Sequence, residues 1–389
     1  MELGGPGETV TLALRGRPER RPPATPVKTI APIPPPATSP GPLVDFPTFV
    51  SFTLTNACNL RCQMCGQWSE TGYVRRGHGP RGPGLGLDDW KRLADEAAAH
   101  GVTSILLRGG EPFLFPEILP LLEHIHGLGL YLSIDSNGSQ LERVAADLVR
   151  IGRIHVTVSV DGPEPVHDAV RGLPGSFRQL AAGLARLAAL DGGRPWRVSR
   201  SICFTISPWS VGGLGEMPAV ARALGVDSIS IVPYYYVPEV LGAAWEREIE
   251  ALLGRRAFSW RGFHHETSGV DPEEFAVQLR RYRDTLDGVH DYPYMPLTEA
   301  EYRAWFSGAT PPVGPLACAN VERLIDIQPA GEANFCVDFP DGCLGNVRES
   351  SLAAIWHGEP ARRFRERRRQ GPFGACLRCG ARHMAEIRN

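Results

Sequence analysis

Seven of the chain's nine cysteines fall into two sets whose spacing suits metal ligation. In the first, Cys58, Cys62 and Cys65 stand at i, i+4 and i+7. Three thiolates can hold three irons of a cubane cluster and leave the fourth iron open, whereas four-cysteine sites are closed. Structural zinc fits less well, because it favours four ligands in paired C-x₂₋₄-C groups. Three buried or free cysteines are the plain alternative. The second set is Cys318 and Cys336, with Gly331 between them as C-x₁₂-G-x₄-C, then a C-x₂-C pair, Cys376 and Cys379. Four thiolates so arranged could close around one cubane or one zinc ion, and the spacing favours neither.

Elements that alternate along the chain must position these thiols. Candidate strands at 49–55, 104–108, 131–135, 155–160, 198–206 and 228–232 are separated by helical runs at 87–100, 116–127, 140–151, 177–190 and 217–224. Leu87, Trp90, Leu93, Ala94 and Ala97 carry the spacing of an amphipathic helix, with Asp88 as its expected cap. Six β-α units in a row imply an α/β fold with a parallel sheet, open or closed into a barrel. Either form gathers chemistry at the carboxyl ends of its strands.

The expected domains are a Pro-rich leader at 1–44, a core at 45–240, a helical linker and substrate region at 241–315, and a small cysteine-bearing domain at 316–389. The leader holds eleven prolines and few aromatics, a composition that favours disorder. A formal net charge of −2 gives no general pull toward nucleic acid or an anionic membrane. No apolar run approaches the ~20 residues of a membrane span, and no signal peptide is legible. A cytoplasmic location is therefore expected, where cysteines serve metals more readily than disulfides. The Arg-rich run 362–369 reads as a solvated helix face.

The C-x₃-C-x₂-C loop after the first strand resembles the signature of the radical S-adenosylmethionine (SAM) superfamily, whose fold is a partial (β/α)₆ barrel. Further segments between residues 49 and 235 strengthen the resemblance. Gly109-Gly110-Glu111 looks like the family's GGE motif, Ser136-Asn137-Gly138 like its TNG element, and Ser159-Val160-Asp161-Gly162 like S-x-D-G. The resemblance implies that Gly109, Gly110, Glu111, Ser136, Asn137, Ser159 and Asp161 contact SAM, with Met64 near the adenine, where an aromatic is usual. Arg171 is expected to pair with a carboxylate, either that of SAM or that of Asp161 or Asp168.

The second set resembles the Twitch or shortened SPASM extension, which implies one auxiliary 4Fe–4S cluster on Cys318, Cys336, Cys376 and Cys379. Leu344–Val347 and Ser351–Trp356 resemble its supporting segment. A full SPASM module would need two further cysteines beyond Cys379.

The implied chemistry is reductive cleavage of SAM to a 5′-deoxyadenosyl radical, which abstracts hydrogen from a substrate. A second redox centre suits oxidative modification of a small natural-product intermediate, by dehydrogenation or bond formation. Crosslinking or epimerisation of a ribosomally made peptide is the alternative within the family. A non-catalytic zinc-binding interaction protein is the alternative outside it. The implied partners are a substrate and an electron donor such as flavodoxin or ferredoxin. Cys203 and Cys343 are left over; each reads as a small core or surface residue, or as a hydrogen donor to a substrate radical. Specificity is expected from 207–217, 233–240 and 264–266, and Tyr234-Tyr235-Tyr236 lies where substrate would enter or where packing needs aromatics.

Overall fold

The computed structural model describes residues 44–79, 82–192, 194, 197–308 and 318–381. All but the last residue of the expected leader lies outside them.

Six strands run parallel in chain order: β1 (Phe49–Thr53), β2 (Ser104–Arg108), β3 (Tyr131–Ser136), β4 (Ile154–Ser159), β5 (Val198–Ile206) and β6 (Ser228–Pro233). Between them pass α1 (Leu87–Ala99), α2 (Ile118–Gly127), α3 (Leu141–Ile151), α4 (Glu164–Arg171), α5 (Ser176–Asp191) and α6 (Met217–Ala223). The fold is α/β with the open (β/α)₆ order expected of the partial barrel: β1 pairs with β2 and not with β6. The helix from 87 begins differently from its expectation. Gly86 occupies the cap position, and Asp89 rather than Asp88 accepts its N–H, at 3.1 Å.

The sheet continues past both ends of the core. After α7 (Glu239–Leu253) and α8 (Pro272–Asp284), the short β7 (His290–Asp291) extends it beside β6. Beyond α9 (Glu299–Phe306) and α10 (Asn320–Arg323), β8 (Leu324–Ile327) pairs parallel to β1, followed by antiparallel β9 (Glu332–Asn334) and β10 (Gly345–Asn346). The second cysteine region is thus built onto the edge of the core sheet. Asp326, fully buried, fixes this junction by accepting from Thr53 Oγ1 at 3.2 Å and Gln328 Nε2 at 2.6 Å.

Alternation along the strands divides two environments. Ile154, Val156 and Val158 of β4 are fully buried, as are Ile202, Phe204 and Ile206 of β5. The intervening residues form a polar stripe, where a closed barrel would place branched aliphatics. His155 bonds Ser199 and Ser201 at 2.9 Å each, and the Ser201 hydroxyl donates to Thr157 at 3.4 Å. A polar lumen implies a ligand or water inside it.

The last helices, α11 (Leu352–His357) and α12 (Glu359–Arg369), correct one expectation. Arg365 and Arg368 of the Arg-rich run are buried. Arg365 lies over the rings of Phe335 and Trp356, at 4.5 and 4.1 Å, and donates to the carbonyls of Val321 and Trp356 at 2.8 Å each. Its planar cation satisfies aromatic faces and helix-end carbonyls together, so only part of the run meets solvent.

Candidate active site

The loop from the end of β1 carries the first three cysteines, and two neighbouring segments hold it. Gly110 N–H donates to Thr55 O at 2.7 Å and Glu111 N–H to Ala57 O at 2.8 Å. This approach is what needs the glycines: a Cβ on Gly109 would stand 2.5 Å from Thr55 O, and one on Gly110 2.3 Å from Ala57 O. Their bareness serves the cysteine loop as well as the cavity that they line. From the other side, the last turn of α4 offers carbonyls: Arg61 N–H donates to Arg171 O at 3.3 Å and Gln63 N–H to Val170 O at 3.0 Å.

Cys58, Cys62 and Cys65 all line one cavity of about 340 Å³ at the carboxyl ends of the strands. Met64, Gly109, Gly110, Ser136, Asn137, Ser159 and Arg171 line it too. Two of the residues expected at SAM are bonded within the protein. Glu111 is fully buried; its carboxylate accepts from Phe113 N–H at 3.1 Å, Ser136 Oγ at 2.9 Å and Asn137 N–H at 2.8 Å. Asp161, also fully buried, accepts from Thr205 N–H at 3.1 Å and pairs with Arg171 at 2.6 Å. Neither lines the cavity, so both shape the site from behind. Of the carboxylates weighed for Arg171, the structure pairs it with Asp161. Asp168 instead accepts from Phe177 N–H and Ser176 Oγ, at 2.8 Å each, where α5 begins.

Cys203 lines the cavity, opposite Ser159 in the β4–β5 register. Cys343 is not among the lining residues: its thiol is buried against Gly345 O at 3.5 Å. The tyrosine triplet divides. Tyr234 and Tyr235 line the cavity, while Tyr236 is buried and donates to Trp305 O at 2.6 Å. Trp209 and His265, from two of the expected specificity stretches, stand 5.9 and 6.1 Å from Tyr234.

Sequence reasoning missed Arg108, Asp135 and Asp338, all of which line the cavity. Arg108 and Asp338 form a 3.5 Å ion pair, and Tyr235 donates to Asp338 at 2.9 Å. Asp135, whose carboxyl burial pushes up, accepts from Thr157. The available signal was a charged residue at the inward position of an otherwise apolar strand end, as in Ser104–Arg108.

The donor sets fit iron–sulfur clusters. Burial raises all three thiols of the first set, that of Cys65 to about 12, with Cys62 the next cause there. In the second set burial raises Cys336, followed by the nearby Cys379, and Cys376 adds to it. Cys379 is raised by burial and then by Cys376 and Cys318. A ligating thiol must be deprotonated, so metal binding at these sets would release protons. Among the described residues, no three His, Cys, Asp or Glu side chains close around a single ion. A cubane requires less convergence, since each thiol takes its own iron.

Comparison with known proteins agrees with this geometry. Residues 52–204 match the radical SAM superfamily and 318–380 match the SPASM iron–sulfur cluster-binding domain. The AdoMet-dependent heme synthase of Methanosarcina barkeri is 24% identical over 348 residues, covering 86% of this chain and 89% of that protein. The PqqA peptide cyclase of Gluconobacter oxydans is 26% identical over 313 residues, covering 79% and 75%. Among solved structures, Streptococcus suis SuiB bound to S-adenosylmethionine superposes with a TM-score of 0.57 at 15% identity, covering 82% of this chain and 67% of that one. Native anSMEcpe with bound AdoMet gives 0.55 at 15% identity, covering 81% and 82%. These structures share the fold.

Proposed function

Given that this chain is a radical SAM enzyme with a C-terminal SPASM/Twitch-type iron–sulfur domain, we propose that it oxidises a small natural-product intermediate. The match across 52–204 sets aside the reading as a zinc-binding interaction protein. When bound, SAM and the clusters supply reductive cleavage and one-electron chemistry. Cys58, Cys62 and Cys65 would hold the SAM-binding cluster, and Cys318, Cys336, Cys376 and Cys379 one auxiliary cluster. The remaining residues orient substrate and limit water.

One observation carries the oxidative reading: Asp338 lines the cavity and also stands beside the second cysteine set, next to Cys336 and Cys379. The auxiliary site therefore adjoins the substrate space, where an electron leaving the substrate needs an acceptor. Arg108 and Tyr235 hold Asp338 at that junction. Asp135 and Asp338 give the cavity acceptors for hydroxyl or amine groups. Thiol chemistry at Cys203 supports a second reading, redox-neutral epimerisation, because its sulfur reaches the cavity. Relatives named as peptide cyclases keep a ribosomal peptide as the alternative substrate class. A small flavodoxin or ferredoxin is the proposed electron donor.

The test is metabolite comparison between cells with and without the gene, followed by incubation of the accumulating compound with reconstituted protein. An oxidised product two hydrogens lighter supports the proposal. A stereoisomer of unchanged mass, lost in Cys203→Ala, favours epimerisation instead.

A further inference from the structure

Arg171 touches the loop of the first cysteine set twice. Its carbonyl takes Arg61 N–H, and its guanidinium Nη1 donates to Cys62 Sγ at 3.6 Å. Nη2 pairs with Asp161 Oδ2 at 2.6 Å, with side chains 9% and 0% exposed. Nε is buried without a hydrogen-bond partner. The α4 turn that ends at Gly172, with a φ of 69°, fixes this placement. A Cβ on Gly172 would stand 3.0 Å from Arg61 O.

Resting on the reading that Cys58, Cys62 and Cys65 hold a cluster, we propose that Arg171 is a positioning residue that raises this cluster's reduction potential through Cys62, with Asp161 as the opposing charge. A donor aimed at a ligating sulfur stabilises the more negative, reduced state, as does a nearby positive charge. The enclosure of the pair makes both effects larger than at a surface. Asp161 offsets part of that charge from behind, since its carboxylate touches the guanidinium and not the sulfur. Its other oxygen is anchored to Thr205 N–H, which keeps Asp161 from following Arg171 toward the thiol. The pair thus grades the potential instead of setting it by a full unit charge.

Two substitutions should move the potential in opposite directions, which a merely structural role would not do. Arg171→Gln removes the charge and the strong donor and should lower the potential. Asp161→Asn frees the guanidinium from its opposing charge and should raise it. Arg171→Lys keeps the charge and should fall between wild type and Arg171→Gln.

The measurement is an anaerobic redox titration of reconstituted full-length protein, followed by the electron paramagnetic resonance component that changes when SAM is added. At the wild-type midpoint, Arg171→Gln should shift the reduced-to-oxidised ratio about tenfold toward oxidised, about 59 mV for one electron. Asp161→Asn should shift it toward reduced. If Arg171→Gln takes up no cluster, Asp161→Asn and Arg171→Lys decide the matter by the same signs. Variants that stay within twofold of wild type, or that all shift one way, overturn the inference while leaving the cluster assignment standing. A wild-type protein with no SAM-sensitive signal overturns the cluster assignment and this inference with it.

Discussion

The Tyr235 hydroxyl donates to Asp338 at 2.9 Å, joining the segment after β6 to the loop that carries Cys336. Across this contact the cavity meets the second cysteine set. Asp338 also faces Arg108 at 3.5 Å, so its carboxylate answers two strand ends at once.

That contact should be energetically visible. A hydrogen bond to a charged group contributes about 1.5–3 kcal/mol, and the partial exposure of Asp338 discounts this. A double-mutant cycle of Tyr235→Phe and Asp338→Asn in urea should give about 1 kcal/mol of coupling. Additive effects would mean that the two residues do not act together.

Metal content should follow the two cysteine sets separately. Reconstituted wild type should carry about eight irons, as two cubanes require. Cys62→Ala and Cys376→Ala should each fall to about four, with the other cluster's spectrum retained. Stoichiometric zinc in place of iron at either set would contradict the assignment.

Glu111 should matter to stability. Glu111→Gln would turn an amide N–H₂ toward one of its three donors, costing about 1–3 kcal/mol. Burial raises the Glu111 pKa to about 7 from an ordinary 4.5, so the folded chain binds more protons between those values. Its ionisation therefore lowers stability as pH rises from 4.5 to 7. Urea melts across that window should show a less negative slope for Glu111→Gln than for wild type.

His167 works in the opposite sense. Burial first, and then the charge of Arg171, lower its pKa to about 3 from 6.5. Between those values the unfolded chain binds more protons, so stability falls as pH drops, by up to about 1.4 kcal/mol per pH unit. In His167→Gln a side-chain oxygen can still accept the Asp161 N–H that His167 Nδ1 takes at 3.3 Å. The gap between the two proteins should change with pH from 7 to 4.5, wild type losing more. Parallel curves would contradict a neutral, enclosed His167.

Much of this arrangement was legible because it is local. Strand periodicity located β2 and β5 to the residue, and the cysteine spacing marked the loop that α4 and Gly110 now hold. What escaped were partners set by tertiary approach. Asp161 and Glu111 carry motif positions, yet their burial, and hence their role behind the cavity, depends on Arg171, Thr205 and Asn137. Arg365 looked solvated because nothing local announces that Phe335 and Trp356 will enclose it. The pairing of β8 with β1 spans more than 270 residues, beyond any pattern in sequence.

The central claim is that Cys58, Cys62 and Cys65 hold the cluster that cleaves SAM. Its most direct test is chromatographic assay of 5′-deoxyadenosine from reconstituted protein, SAM and dithionite. Wild type should release the nucleoside together with methionine, and the variant with all three cysteines changed to alanine should release none. Nucleoside from that triple variant, or none from wild type loaded with about eight irons, would contradict the account.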